Sequence, residues 1–131
     1  MSALTLNAIC SVHHDELNDP DGIVLNAGGV KLYIDMVDFN NGKYIAYEDS
    51  KKLVKPTLKQ ALLVLAYIDE VNKKLSEIGG KPIDGSFFTS HENGEYVQVF
   101  GYQDNISYAY VVNKFSTALP CNYKVRQIKQ L

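Results

Sequence analysis

The chain has 131 residues, 46% of them hydrophobic and 21% charged, a globular composition that excludes a disordered chain and suffices for one domain, residues 1–131, with its own core. A net charge of −2 and a pI near 5.9 offer no basic face, which argues against nucleic acid as a partner. The longest apolar run, Ala61–Ile68, falls far short of the roughly 18 residues a membrane span requires, and Met1–Cys10 lacks the basic and long apolar regions of a secretory signal. The expectation is a soluble protein without membrane insertion. Its compartment is left open, with a virion or a surface assembly among the settings considered.

Ser2–His14 and Gly22–Ala27 have β-type composition, and Asp15–Gly22 between them is a strong turn. In Val30–Phe39 the apolar Val30, Leu32, Ile34 and Met36 alternate with Lys31, Tyr33 and Asp35, which is strand periodicity. Asn40-Asn41-Gly42 tolerates positive φ and Lys43–Tyr47 resumes β-type residues, so Val30–Tyr47 reads as a hairpin.

The next segment predicts one long helix over 57–78. Thr57 and Gln60 form a capping box, and Leu58, Ala61, Leu65, Ile68, Val71, Leu75 and Ile78 recur at three- and four-residue steps. Gly79-Gly80 supplies a left-handed stop and Pro82 prevents continuation. An amphipathic stripe of this length packs on a sheet.

Beyond Gly85, the runs Ser86–Ser90, Glu95–Tyr102, Ser107–Lys114 and Tyr123–Lys129 are separated by His91–Gly94, Gln103–Asn105 and Thr117–Asn122. That spacing predicts an antiparallel meander of four short strands. The fold class is α+β.

The chemistry-bearing residues form no catalytic or metal set. Asp15, Asp19, Asp21 and Gly22 hint at a calcium loop, but the EF-hand order fails and a solvated turn is the simpler reading. His13 and His14 are adjacent on a strand, so they point to opposite faces. Neither Gly28-Gly29 nor Gly79-Gly80 belongs to a phosphate-binding loop, and Phe88 stands where a nucleophile elbow at Ser86 would need its second glycine. No cofactor is expected. Cys10 and Cys121 have no metal or redox spacing, and read either as two small buried hydrophobes or as a bridge between the chain ends.

Five of the nine tyrosines, Tyr96, Tyr102, Tyr108, Tyr110 and Tyr123, lie after residue 95, mixed with Asn and Ser. This composition suits a recognition surface and equally suits ordinary strands. By alternation Tyr108 and Tyr110 share a face with Val112, leaving Ser107 and Ala109 on the outward one.

The order of several short motifs resembles bacterial C-type-lectin-like domains of the Lcl C-terminal type. Lys55-Pro56-Thr57-Leu58 resembles the Leu-Pro-Thr opening of that family's helix; Ile68–Asn72, Leu75, Ile78–Gly80 and Pro82–Gly85 are similar to its helix exit. Phe88-Thr89-Ser90 stands where the family carries Trp-Ser-Ser, and Val125–Ile128 where it carries Val-Arg-Pro-Val. The resemblance covers residues 54–129. The chain departs from it in having no tryptophan, a short first half and no calcium-lectin signature.

The resemblance implies a C-type-lectin-like fold, with the helix on twisted antiparallel strands and the chain ends close together, which would bring Cys10 near Cys121. It implies a non-enzymatic recognition module of the kind found in adhesins, phage tails and targets of diversity-generating retroelements, binding a cell-surface glycan or protein. The ligand-binding residues it implies are His91, Asn93, Tyr96, Gln98, Tyr102, Asn105, Ser107 and Asn122, with Arg126 structural inside the fold. Two rival readings stand beside it. One is an assembly subunit whose tyrosine-rich face is a homo-oligomer interface. The other is a hydrolase, which requires a pocket with convergent polar groups.

Overall fold

The computed structural model describes residues 9–116 and 121–131. Four strands form the first sheet: β1 (Ile9–His14), β2 (Pro20–Ala27), β3 (Val30–Asp35) and the C-terminal β9 (Ile128–Gln130), in the order β1-β2-β3-β9 and antiparallel throughout. The β1–β2 turn closes on Asp15, whose carboxylate accepts the amides of Leu17 and Asp19 at 2.9 and 3.0 Å. Those bonds occupy the loop's polar groups locally, as a solvated turn requires.

β3 does not form a hairpin with the segment after it. Asn40, Asn41 and Gly42 do take positive φ (52°, 59° and 79°), but within a 3-10 turn at Phe39–Gly42 that carries the chain away from the sheet. The following β4 (Ile45–Ala46) pairs with β8 (Asn122–Tyr123), and β3 receives β9 on its free edge. The local turn signal was real; the strand partner was chosen by the distant C-terminus. A short helix, α1 (Tyr47–Ser50), follows β4.

The expected long helix is two helices, α2 (Leu58–Ala66) and α3 (Ile68–Glu77), broken at Tyr67, whose φ of −120° and ψ of 32° are not helical. No glycine or proline marks the break. Its physical origin is tertiary: α2 packs on β5, β6 and β9, whereas α3 packs on β1 and β2, so one straight rod could not cover both surfaces. The ends are as the sequence dictates. Thr57 Oγ1 accepts the Gln60 amide at 3.1 Å while Gln60 Oε1 accepts the Thr57 amide at 3.0 Å. Gly79 (φ 81°) closes the C-terminus, its amide on Ser76 O and that of Gly80 on Leu75 O, the paired bonds of a Schellman motif.

The meander has three strands rather than four: β5 (Gly85–Asn93), β6 (Tyr96–Gln103) and β7 (Ile106–Asn113), in that order. The expected fourth strand divides. β8 joins β4, Lys124 bridges to β5 (Phe88 N to Lys124 O, 3.0 Å; Lys124 N to Ser86 O, 2.9 Å), and β9 joins the first sheet. Residues 122–130 therefore stitch the three sheets together.

Two cores result, and β5 faces both. Phe87 joins Ile23, Leu25, Leu32, Ile34, Val64, Val71, Leu75 and Phe100 between helices and sheets, while its neighbour Phe88 joins Ile45, Tyr47, Val97, Val99, Cys121 and Val125 behind the meander. Cys10 packs against the first core and Cys121 lies in the second; both are free thiols, so no bridge joins them. Burial pushes both thiols above their ordinary pKa. Arg126 is fully buried. Its Nε donates to Asp38 Oδ1, Nη1 to Asp35 O (2.9 Å) and Nη2 to Pro82 O (3.3 Å).

The architecture is α+β with antiparallel sheets, and among the described residues no helix is long and apolar enough to cross a membrane.

Candidate functional site

The exposed part of the β5–β6–β7 sheet is built around an irregularity in β5. Phe88 pairs with Val99 and Glu92 with Val97, so Thr89, Ser90 and His91 together oppose Gln98. The bulge is fastened at each residue: Thr89 Oγ1 donates to Gln98 O (2.8 Å), the His91 amide donates to Thr89 Oγ1 (3.1 Å), and the Ser90 amide donates to Pro56 O (2.8 Å). A bulge re-aims the side chains that follow it. Here it directs His91, Glu92 and Asn93 alongside Tyr96, Gln98 and Val111, and these line a shallow depression of about 200 Å³.

Glu92 anchors one side. Both its oxygens accept the Tyr47 hydroxyl, at 2.8 and 2.7 Å, and Oε1 accepts Lys114 Nζ at 2.7 Å. Lys114 also donates to Gly94 O and sits 4.9 Å from the Tyr47 ring centroid. Hydrogen bonds from Lys114 and then Tyr47 hold the Glu92 carboxyl below its ordinary range, burial opposing them. Burial pushes the Tyr47 hydroxyl up, reinforced by Glu92. These bonds hold Glu92, the one of the three that borders the depression, in place.

Of the eight residues implied as ligand-binding, the structure gathers four here: His91, Asn93, Tyr96 and Gln98. Tyr102, Asn105 and Ser107 form a second group at the other end of β6. Tyr102 pairs with Ser107, and its hydroxyl donates to Asn105 at 3.1 Å. Gln98 and Tyr102 share a face, but Phe100 between them is buried beneath α2 with Phe87. Helix coverage, invisible to strand alternation, divides the site. Asn122 belongs to neither group, since it pairs with Ala46 on the separate β4–β8 ribbon.

The opposite face carries the tyrosines. Tyr108 and Tyr110 stack at 5.8 Å, and Tyr123 meets Tyr110 edge-on at 6.3 Å and Phe88 at 5.3 Å. Burial, together with Tyr110, pushes the Tyr123 hydroxyl up. Ser107 and Ala109 are exposed as alternation predicts, and Tyr110 is itself 39% exposed. Sequence reasoning passed over the Tyr47–Glu92–Lys114 cluster, whose members are up to 67 positions apart and carry no local signal.

Along its outer edge β7 pairs with no other described strand, and Ile106–Asn113 contains no charge. Ile106 and Phe115 are each 64% exposed and Val111 56%. Among the described residues no group of three or more His, Cys, Asp or Glu is placed to hold a metal ion. The chain matches no family model, no curated protein and no solved structure.

Proposed function

We propose that the chain is a non-enzymatic recognition module of C-type-lectin-like architecture that binds a cell-surface glycan or protein through the exposed end of its β5–β6–β7 sheet. The observation that carries this reading is the depression lined by His91, Asn93, Tyr96 and Gln98, where a bulged strand presents polar and aromatic side chains on a rigid sheet. Rigid aromatics flanked by short polar groups give contact area at low entropic cost. The hydrogen bonds of the bulge, Thr89 Oγ1 to Gln98 O and the Ser90 amide to Pro56 O, fix the strand before any ligand arrives, which lowers the ordering cost of binding.

The test is a screen of the purified protein against immobilised cell-surface glycans and whole cells, beside a Tyr96→Ala/Asn93→Ala variant. Both side chains are exposed, so the variant keeps the fold. Binding by the parent protein and its loss in the variant support the reading; equal binding by the two overturns the surface.

One observation favours a second reading, an assembly subunit. The uncharged outer strand β7, with Ile106, Val111 and Phe115 exposed, lacks the charges and prolines by which edges usually avoid pairing. A stable oligomer that buries β7 would favour this alternative.

A further inference from the structure

A cavity of about 490 Å³ lies at the Tyr102 end of β6, away from the depression described above. One wall is the loop around Val37–Gly42 and the other is Lys81–Asp84, with Tyr102 and Lys124 completing it. We propose that this cleft is a binding site for a small hydroxylated carboxylate of the sugar-acid class, and the inference stands whether or not the β5–β6–β7 depression is a receptor site.

Three sets of interactions hold the two walls in place. From a fully buried position Arg126 joins Asp38 on one wall to Pro82 O on the other, and it also donates to Asp35 O behind the first wall. The Lys81 amide donates to Met36 O at 2.7 Å, and the loops touch so closely at Gly80 that a Cβ there would lie 2.8 Å from that same oxygen. Asn72 clamps the Ile83 backbone on both its amide (2.7 Å) and its carbonyl (3.2 Å). A buried ion pair adds little net stability but strongly constrains geometry, and the geometry constrained here is the width of the cleft. The rim loop also holds Asn40 and Asn41 at positive φ, a backbone cost that concentrates at ligand clamps.

The lining sets the ligand chemistry. Arg126 neutralises Asp38, so the lining carries two ammonium groups, Lys81 and Lys124, and one remaining carboxylate, Asp84, a local positive excess in a chain of net charge −2. Lys124 is oriented by the Asp84 carbonyl (2.9 Å) and lies over the Phe87 and Tyr44 rings at 5.7 and 6.0 Å. The two ammonium groups suit a carboxylate, the Asn41 and Asp84 side chains suit hydroxyls, and Tyr102 offers a half-buried aromatic side chain to the ligand's carbon skeleton. The volume falls within the roughly 300–1,000 Å³ of small-molecule sites.

The full-length chain, isotopically labelled, is titrated at low ionic strength with glucuronate, glucose and acetate while backbone amide shifts are followed. Glucuronate should give saturable shifts at Asn41, Gly42, Ile83, Asp84 and Tyr102. Glucose, lacking the carboxylate, and acetate, lacking the hydroxylated body, should bind about fivefold or more weakly, the scale of one or two partly screened charge contacts. Lys81→Gln should weaken glucuronate by a similar factor, and Asn41→Gly, which retains the left-handed loop, should weaken it without lowering stability. Absence of saturable shifts at these amides, equal binding of glucose or acetate, or full affinity in Lys81→Gln overturns the assignment. Shifts confined to His91–Gln98 also overturn it, while supporting the depression as the receptor surface.

Discussion

The ring of Tyr108 on β7 lies directly over Gly101, its cross-strand partner on β6, so closely that a Cβ at Gly101 would overlap the ring and also the Gly85 carbonyl oxygen. The same Tyr108 hydroxyl shares a 2.6 Å hydrogen bond with Ser86 on β5, so one side chain ties all three strands of the meander. Gly101→Ala must displace the ring or part the strands, and should cost about 1–3 kcal/mol in urea unfolding. Tyr108→Phe keeps the packing and loses only the hydrogen bond, about 1 kcal/mol. A Gly101→Ala protein as stable as the parent would contradict this arrangement.

The capping box at Thr57 is solvent-exposed and isolated from both cores. Thr57→Ala should lower stability by about 1 kcal/mol, and Thr57→Ser should restore most of it, as read from thermal midpoints. Equal midpoints for the parent and the Ala variant would mean that α2 is held by packing alone.

Removing Arg126 leaves the nearly buried Asp38 carboxylate without its partner. Arg126→Met should therefore destabilise by about 3–5 kcal/mol, whereas Asp38→Leu/Arg126→Met should recover a large part of that loss. Denaturant titration of the single and double variants checks both. Additive losses would show that the pair is not coupled.

Glu92 makes acid stability informative. Its carboxyl is held below the ordinary glutamate range, chiefly by the Lys114 hydrogen bond. A depressed carboxylate stabilises the fold above its unfolded pKa, about 4.3, and that contribution disappears as pH falls through the lower folded value. Glu92→Gln should therefore be less stable than the parent at neutral pH, with the gap closing as pH falls below about 4.3. Asp35, whose carboxyl burial pushes up, contributes the opposite slope, but it is common to both proteins and cancels in the comparison. A gap constant across the range would exclude Glu92 as its source.

The β7 edge yields a test of association. Val111 is 56% exposed, so Val111→Lys should alter stability by less than about 0.5 kcal/mol. If β7 pairs with a second copy, that substitution shifts an oligomer to monomer in light scattering. A monomeric parent protein would dispose of the assembly reading.

What the amino-acid order could determine here was local. The Thr57–Gln60 box, the Gly79 stop and the left-handed Asn40–Asn41–Gly42 turn appear where sequence spacing puts them, because each depends on contacts only a few residues apart. The three meander strands form from their β-type runs, with β5 extended through His91–Asn93, which the spacing assigns to a separator. Tertiary structure decided the rest. The rod 57–78 breaks at Tyr67 because its halves serve different sheets, β3 takes β9 rather than the segment after Asn41, and Cys10 and Cys121 fall into separate cores. The implied site followed the same division. Gln98 and Tyr102 lie on one face of β6, but α2 covers Phe100 between them, since burying the Phe87–Phe100 pair stabilises the fold more than a continuous polar strip could. Hydrophobic burial is non-directional and acts across the whole chain, so which surfaces remain open is settled only when every apolar stripe has found its partner.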